Sequence, residues 1–360
     1  MNKIKITTVS EFKLFLSKDC RYDYIIINLS RLKESNILRY LIKHTFWKLN
    51  INGIIEFIDE SSKGQLFSTK RIDFWQIRNL IFKLLKKDIL LEEINDGNIK
   101  IRKRYENYIN NGFSFGLIFS GNDKEITLLT NTIKSILDNK NINKYDYEIL
   151  VCGPSSFNKD TLKQYFDLPQ ITYINFDSNE SKRFMISAKK NFLYNQMKYN
   201  ISILSHLRIY YSQSFMDNMF TKRFDFLAPK VLDSQNKSYL GFTLIGSYDL
   251  SKKNTFKPLT GEFLEDNFYY ALKNRVPYID GGILILNRNI IKDDPLDSNI
   301  AWGEGEDIDI SANLYYQGYL IDYDSNLICM SSINKIQIKK WKNNSIIQLI
   351  RKILITNGLY

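Results

Sequence analysis

Cysteine, histidine and proline are scarce in this 360-residue chain, and no stretch stays apolar for long. The three cysteines, Cys20, Cys152 and Cys329, are odd in number and widely separated, which excludes a disulfide framework or a Cys-x-x-Cys zinc site and fits a reducing compartment. Only 6 prolines are present, so long disordered linkers are not expected. Nowhere do 18 apolar residues run uninterrupted, which leaves out a membrane-spanning helix. The opening MNKIKITTVSEFKLFLSKD lacks an apolar core followed by a small-residue cleavage site, so no secretory signal peptide is expected either. Acidic residues are outnumbered, 39 Asp and Glu against 50 Lys and Arg, and the net charge of +11 favours anionic partners. Those basic residues are dispersed and form no RRM, KH or helix-turn-helix pattern, so nucleic acid is not an expected partner.

What is present reads as a globular α/β protein of two domains, 44% hydrophobic and rich in aromatics, with 23 Tyr and 23 Phe. Residues 23–29 (DYIIINL) have the pattern of a buried strand, 33–49 have helical spacing, and 53–59 (GIIEFID) follow an Asn-Gly turn as a second strand. An amphipathic helix over 74–87 and two short strands around Asp96-Gly97 complete a small α/β module, residues 1–105. Its order resembles the C-terminal half of a nucleoside-methionine-dependent methyltransferase. No Gly-rich loop follows its first strand, so the cofactor-holding element of that family is missing, and the module reads as degenerate, structural or docking.

The polar run 102–111 marks a boundary, and a second domain, 112–335, begins after it. Strands are expected at 113–119 (FSFGLIF), 147–152 (YEILVC), 171–176 and 201–204 (ISIL), with helices at 125–138, 160–166 and 187–198 between them. Such alternation demands a mostly parallel sheet whose ligands sit at the strand C-termini, along the edge formed by 120–122, 153–156 and 205–208. Residues 239–248 (YLGFTLIGSY) read as a strand pair that could wall a binding site beside this edge.

The densest chemistry lies between Tyr278 and Asp309. There Gly281-Gly282 feed a strand at 283–286, and AWGEGEDIDI sets Glu304, Glu306, Asp307 and Asp309 behind Trp302. Paired glycines admit close backbone approach, an indole offers a face to a sugar ring, and a carboxylate can take a proton from an attacking hydroxyl. The competing reading is a glycine turn before a helix whose N-terminus favours acidic residues.

Taken in order, FSFGLIFSGN, YEILVCGPSS, ISAKKNFLYNQ, the DGG and the GEGED segments resemble nucleotide-sugar glycosyltransferases of the GT-A fold, family 2-like, over roughly residues 113–330. GEGED is also similar to the acceptor motif of β-1,4-galactosyltransferases. The resemblance implies a Rossmann-like, mostly parallel sheet, Asp307 as catalytic base, and Glu306, Trp302, Gly281 and Gly282 on the acceptor. It implies Ser120, Asn122, Gly153, Lys190, Asn191, His206 and Arg208 on the donor, a UDP-sugar first among nucleotide sugars. Inverting transfer needs one carboxylate, although the sequence leaves a retaining mechanism open.

The main departure is at 205–208, where the family carries an Asp-x-Asp that holds a divalent metal and this chain has Ser-His-Leu-Arg. Two routes remain: His206 ligating Mn²⁺ or Mg²⁺ with a carboxylate from elsewhere, or Arg208 meeting the diphosphate charge without metal. Residues 336–360 read as a basic amphipathic helix. It either lies on an anionic membrane surface, where a lipid-linked glycan acceptor resides, or docks on the N-terminal module. The functional expectation is a cytoplasmic enzyme, peripheral on the inner face of the plasma membrane, that builds a bacterial capsule or lipopolysaccharide. The alternative is a non-catalytic relative that binds glycans or scaffolds a complex.

Overall fold

The computed structural model describes residues 1–32, 35–59, 69–95, 97–177, 184–238, 241–248, 256–258, 268, 271–272 and 275–332, so the expected C-terminal helix lies outside the described residues. The N-terminal part runs β1 (Lys3–Ile6), α1 (Val9–Ser17), β2 (Tyr22–Asn28), α2 (Ser35–Trp47), β3 (Leu49–Ile58), α3 (Thr69–Leu85), β4 (Ile89–Asn95) and β5 (Asn98–Lys103). Its sheet has the order β1-β2-β3-β5-β4. The first three strands are parallel, and β5 is inserted antiparallel between β3 and β4. The isoleucine run of β2 suits a strand covered on both faces. β1 and α1 extend the module beyond the expected strand-helix-strand unit. Their local signal is a capping box, in which Thr8 Oγ1 accepts from the Glu11 N–H at 3.2 Å and Glu11 returns the bond to the Thr8 N–H at 3.1 Å.

The second part begins at β6 (Phe113–Ile118) and continues through α4 (Ile126–Leu137), β7 (Tyr147–Gly153), α5 (Lys159–Tyr165), β8 (Ile171–Asn175), α6 (Ile186–Gln196) and β9 (Ile201–His206). These elements match the expected alternation to within one or two residues. After them come β10 (Ile209–Tyr211), α7 (Phe215–Phe220), β11 (Phe226–Leu232), β12 (Phe242–Ile245), β13 (Phe256–Pro258), β14 (Val276–Ile279), β15 (Ile283–Asn287), α8 (Glu306–Gln317) and β16 (Ile321–Ser331). The large sheet has the order β10-β16-β11-β15-β9-β6-β7-β8, in which β8, β7, β6 and β9 are parallel and β15 is antiparallel to β9. The chain is thus a mixed α/β fold with a Rossmann-like half. Every residue of β6 and of β15 is buried, as strands covered on both faces require.

The described residues of the segment 239–248 give one strand, β12, where the sequence suggested a pair. β12 finds its antiparallel partners in β13, the next strand, and in β14, farther along the chain, and this pairing is not visible in local pattern. The stretch after β5 is tied down. Tyr108 donates to Asp225 Oδ1 at 2.8 Å, Lys43 of α2 reaches Asp225 Oδ2 at 2.7 Å, and the Leu320 N–H donates to the same carboxylate at 2.8 Å. One apolar core runs from Ile25 and Phe57 of the first sheet to Phe226 and Leu286 of the second. Among the described residues no helix is long and apolar enough to cross a membrane.

Candidate active site

The parallel strands β6, β7, β8 and β9 end along one edge of the large sheet, the usual place for a ligand in such sheets. Because β15 runs back beside β9 with Ile283 opposite Ser205, the two residues before it lie against the end of β9. The His206 N–H there donates to the Gly282 carbonyl at 3.0 Å. α6 packs on β6 and β9, and α8 packs on β14 and β16, so both helices bring polar residues to this same corner.

Gly281 and Gly282 are the meeting point. A Cβ on Gly281 would stand 2.8 Å from Glu306 Oε1 and 3.3 Å from Lys190 Nζ; one on Gly282 would stand 2.8 Å from Arg208 Nη2 and 3.0 Å from Asp280 Oδ1. A side chain at either position would push these charged ends out of their present places. Lys190 is fully buried, and its Nζ donates to the Gly281 carbonyl at 3.0 Å and to Glu306 Oε1 at 3.3 Å. Asp307 takes the Gly281 N–H on Oδ2 at 3.2 Å and the Ile308 N–H on Oδ1 at 2.9 Å. Burial raises the Asp307 pKa above the ordinary aspartate value, and the neighbouring Glu306 and Asp280 charges raise it further. Burial lowers that of the Lys190 ammonium, opposed by the same carboxylates. Arg208 lies 3.7 Å from Asp280 Oδ1, and its Nε is buried without a hydrogen-bond partner.

The four acidic residues of GEGEDID divide. Glu306 and Asp307 face the glycines, Glu304 accepts from the Ala301 N–H at 2.9 Å, and Asp309 lies beside Asp297. Trp302, 42% exposed, stacks on the His206 ring at a centroid distance of 5.3 Å and 29° between planes, with Phe184 at 6.2 Å on the same indole. This aromatic group stands at the end of β9 and presents a face to solvent.

A divalent cation does not fit the residues at this corner. Among the described residues no cluster of three His, Cys, Asp or Glu side chains is placed to hold one. His206 is stacked against Trp302, and Asp280 is already matched by Arg208 and by the Gly282 N–H at 3.1 Å. Hard cations prefer several oxygen ligands, and an adjacent guanidinium disfavours a second positive charge.

The remaining expected residues spread along the strand-end edge. Ser120 donates through N–H and Oγ to Glu125, at 3.0 and 2.7 Å, and Asn122 caps the following turn by accepting from the Lys124 N–H at 3.0 Å. Gly153 ends β7 against Tyr173, whose hydroxyl would meet a Cβ there at 2.2 Å. Asn191 is not brought to this edge. Its amide holds Leu296 in both directions, at 2.7 and 3.0 Å, and donates to Ser298 at 3.0 Å, so it fastens the loop before Trp302. Sequence reasoning passed over three residues. Lys189, buried beside Lys190, donates to the Phe119 carbonyl at the end of β6 at 2.6 Å; Asp177 accepts the Ser155 N–H at 2.9 Å just after β8; Asp280 pairs with Arg208. The signal for Asp280 was its place beside the paired glycines. Lys189 and Lys190 carry the same local signal, and only their different facings on α6 separate them.

No protein-family model and no curated protein matches the chain. Among solved structures it is similar to GalNAc-T7 with UDP, GalNAc and Mn²⁺, with 15% identity and a TM-score of 0.45 over 67% of this chain and 46% of that one. It is also similar to S. aureus TarS 1-349, with 12% identity and a TM-score of 0.40 over 61% of this chain and 60% of that one. For the same TarS segment in complex with UDP the identity is 12% and the TM-score 0.39, over 64% and 62% of the two chains. The chain thus spans about half to three fifths of the length of the solved structures it matches.

Proposed function

We propose that the chain is a GT-A glycosyltransferase that moves a sugar from a nucleotide sugar, a UDP-sugar first, to a hydroxyl of a glycan acceptor. The observation that carries this reading is the convergence of Asp307 and Glu306 with the Arg208–Asp280 pair across Gly281 and Gly282, at the C-terminal ends of parallel strands. The donor lies along the strand-end edge with its diphosphate at Arg208. The acceptor sugar rests on the face of Trp302. The acceptor oxygen attacks the anomeric carbon and gives its proton to Asp307, while the bond from that carbon to the diphosphate breaks and the released charge is met by the guanidinium. Glu306 is held by Lys190, which leaves Asp307 as the single acting carboxylate and supports inversion. The charge of the leaving diphosphate is met by Arg208 and not by a metal, because the residues at the end of β9 do not fit one.

The setting we propose is synthesis of a bacterial capsule or lipopolysaccharide on the cytoplasmic face of the plasma membrane, with a lipid-linked glycan as acceptor. A second reading, a glycan-binding protein without catalysis, is favoured by one observation: His206, in the place of a metal-holding aspartate, supports the Trp302 platform. Melting curves with a panel of nucleotide sugars test the first reading, followed by donor hydrolysis and transfer with the stabilising compound. Stabilisation by at least one nucleotide sugar and release of its nucleotide are the expected results. No stabilisation by any of them, with glycan binding intact, leaves the second reading standing.

A further inference from the structure

Lys190 is an ammonium with no exposed surface. Burying a cation is costly unless it is paired and hydrogen-bonded, so such a residue needs a structural reason for its place. Its partners supply one. Nζ contacts the Gly281 carbonyl at 3.0 Å and Glu306 Oε1 at 3.3 Å, while the N–H of the same Gly281 is given to Asp307 Oδ2 at 3.2 Å. A single glycine therefore links α6, α8 and the start of β15, one peptide group on the cation and the other on the carboxylate.

We infer that Lys190 is a positioning residue, which binds Glu306 and the Gly281 carbonyl and thereby sets Asp307 apart as the group that takes the acceptor proton. The inference rests on the glycosyltransferase reading for the word acceptor, but not for the electrostatics. Two adjacent carboxylates at one helix start compete for a proton, as like charges in one site do. The charges that face Asp307 are Glu306 on α8, Asp280 from the loop before β15 with Arg208 behind it, and Lys190 from α6. Lys190 touches Glu306 directly, and Asp307, held only by backbone N–H groups, is left without a cation in contact. Burial and the carboxylates raise the proton affinity of Asp307, and Lys190 restrains that rise. With the cation removed, three carboxylates share the corner against Arg208 alone.

The test needs no substrate. Full-length protein carrying ¹³C at the Asp and Glu side-chain carboxyls is titrated by NMR, with Asp307→Asn identifying the Asp307 signal. In Lys190→Met, Asp307 is expected to bind its proton about tenfold more tightly or more, the usual effect of removing an opposite charge a few ångströms away. Lys190→Arg should stay near the wild-type midpoint. A folded Lys190→Met with an unmoved Asp307 midpoint overturns the inference. Should Lys190→Met not fold, Glu306→Gln decides. It removes a negative neighbour and releases Lys190 toward Asp307, so the midpoint must fall, and an unchanged midpoint overturns the inference equally. If no nucleotide sugar is ever turned over, these titrations still stand. If transfer proceeds while the titrations fail, only the role of Lys190 is lost.

Discussion

Burial, Glu306 and Asp280 all favour the protonated form of Asp307, opposed by the Gly281 N–H and Lys190. A carboxylate whose folded pKa is raised has its stabilising contribution below the unfolded value of 3.8 and loses it as pH rises through the folded value. Asp307→Asn, which imitates the protonated form, should therefore melt higher than wild type at neutral pH, by roughly 2 °C. The gap should close on acidification toward the ordinary aspartate range, and a gap that does not change with pH would separate the stability effect from this titration. The same variant should lose about 10³-fold in transfer with donor binding kept, because an amide cannot accept the proton. Arg208→Ala should cost about 100-fold in rate, and EDTA should leave the wild-type rate within a few fold. Full EDTA sensitivity rescued by Mn²⁺, with a nearly active Arg208→Ala, reverses that assignment. At this scale the sequence singled out Asp307, Glu306 and Arg208 by their local context, and the structure brings all three to the paired glycines. The sequence left Asn191 looking like a donor residue, because a side-chain amide gives no local sign of which loop it will hold.

α8 carries the two carboxylates, so its ends decide their aim. Its C-terminal stop is Gly318, at φ +91°, where a Cβ would stand 2.5 Å from the Lys83 backbone carbonyl of α3. Gly318→Ala meets both a left-handed backbone and a clash with main chain, which cannot swing aside as a side-chain tip does. A loss of about 2–4 kcal/mol is expected, read as a lower urea midpoint with an unchanged slope. A midpoint equal to wild type would mean that the helix end shifts at no cost. Most elements were legible because hydrophobic period and turn residues are local properties, which is why β6, β7, β9 and α4 fall close to their expected positions. β12 was not, because its pairing with β13 and β14 lies outside the segment 239–248 itself.

Over the whole molecule, the first sheet is held to the second by a continuous apolar core and by Asp225, which is fully buried and gathers Lys43, Tyr108 and the Leu320 N–H. Lys43→Met leaves that carboxylate buried without its cation and should cost about 3–5 kcal/mol. Because the core is shared, the chain should unfold in urea as one transition, with far-ultraviolet and tryptophan signals superimposing. Two separated transitions would show that the module of residues 1–105 folds independently. The sequence by itself determined the α/β class, the alternation of strands and helices from β6 to β9 and the glycine pair before an acidic segment. Period, turn chemistry and charge are carried by consecutive residues. Only the tertiary structure decided that Lys190 and not Lys189 reaches Glu306, that Asp280 matches Arg208, and that His206 lies under Trp302. Those partners stand up to 116 residues apart, and their meeting depends on the register of β15 against β9 and on the packing of α6 and α8, which no local pattern encodes.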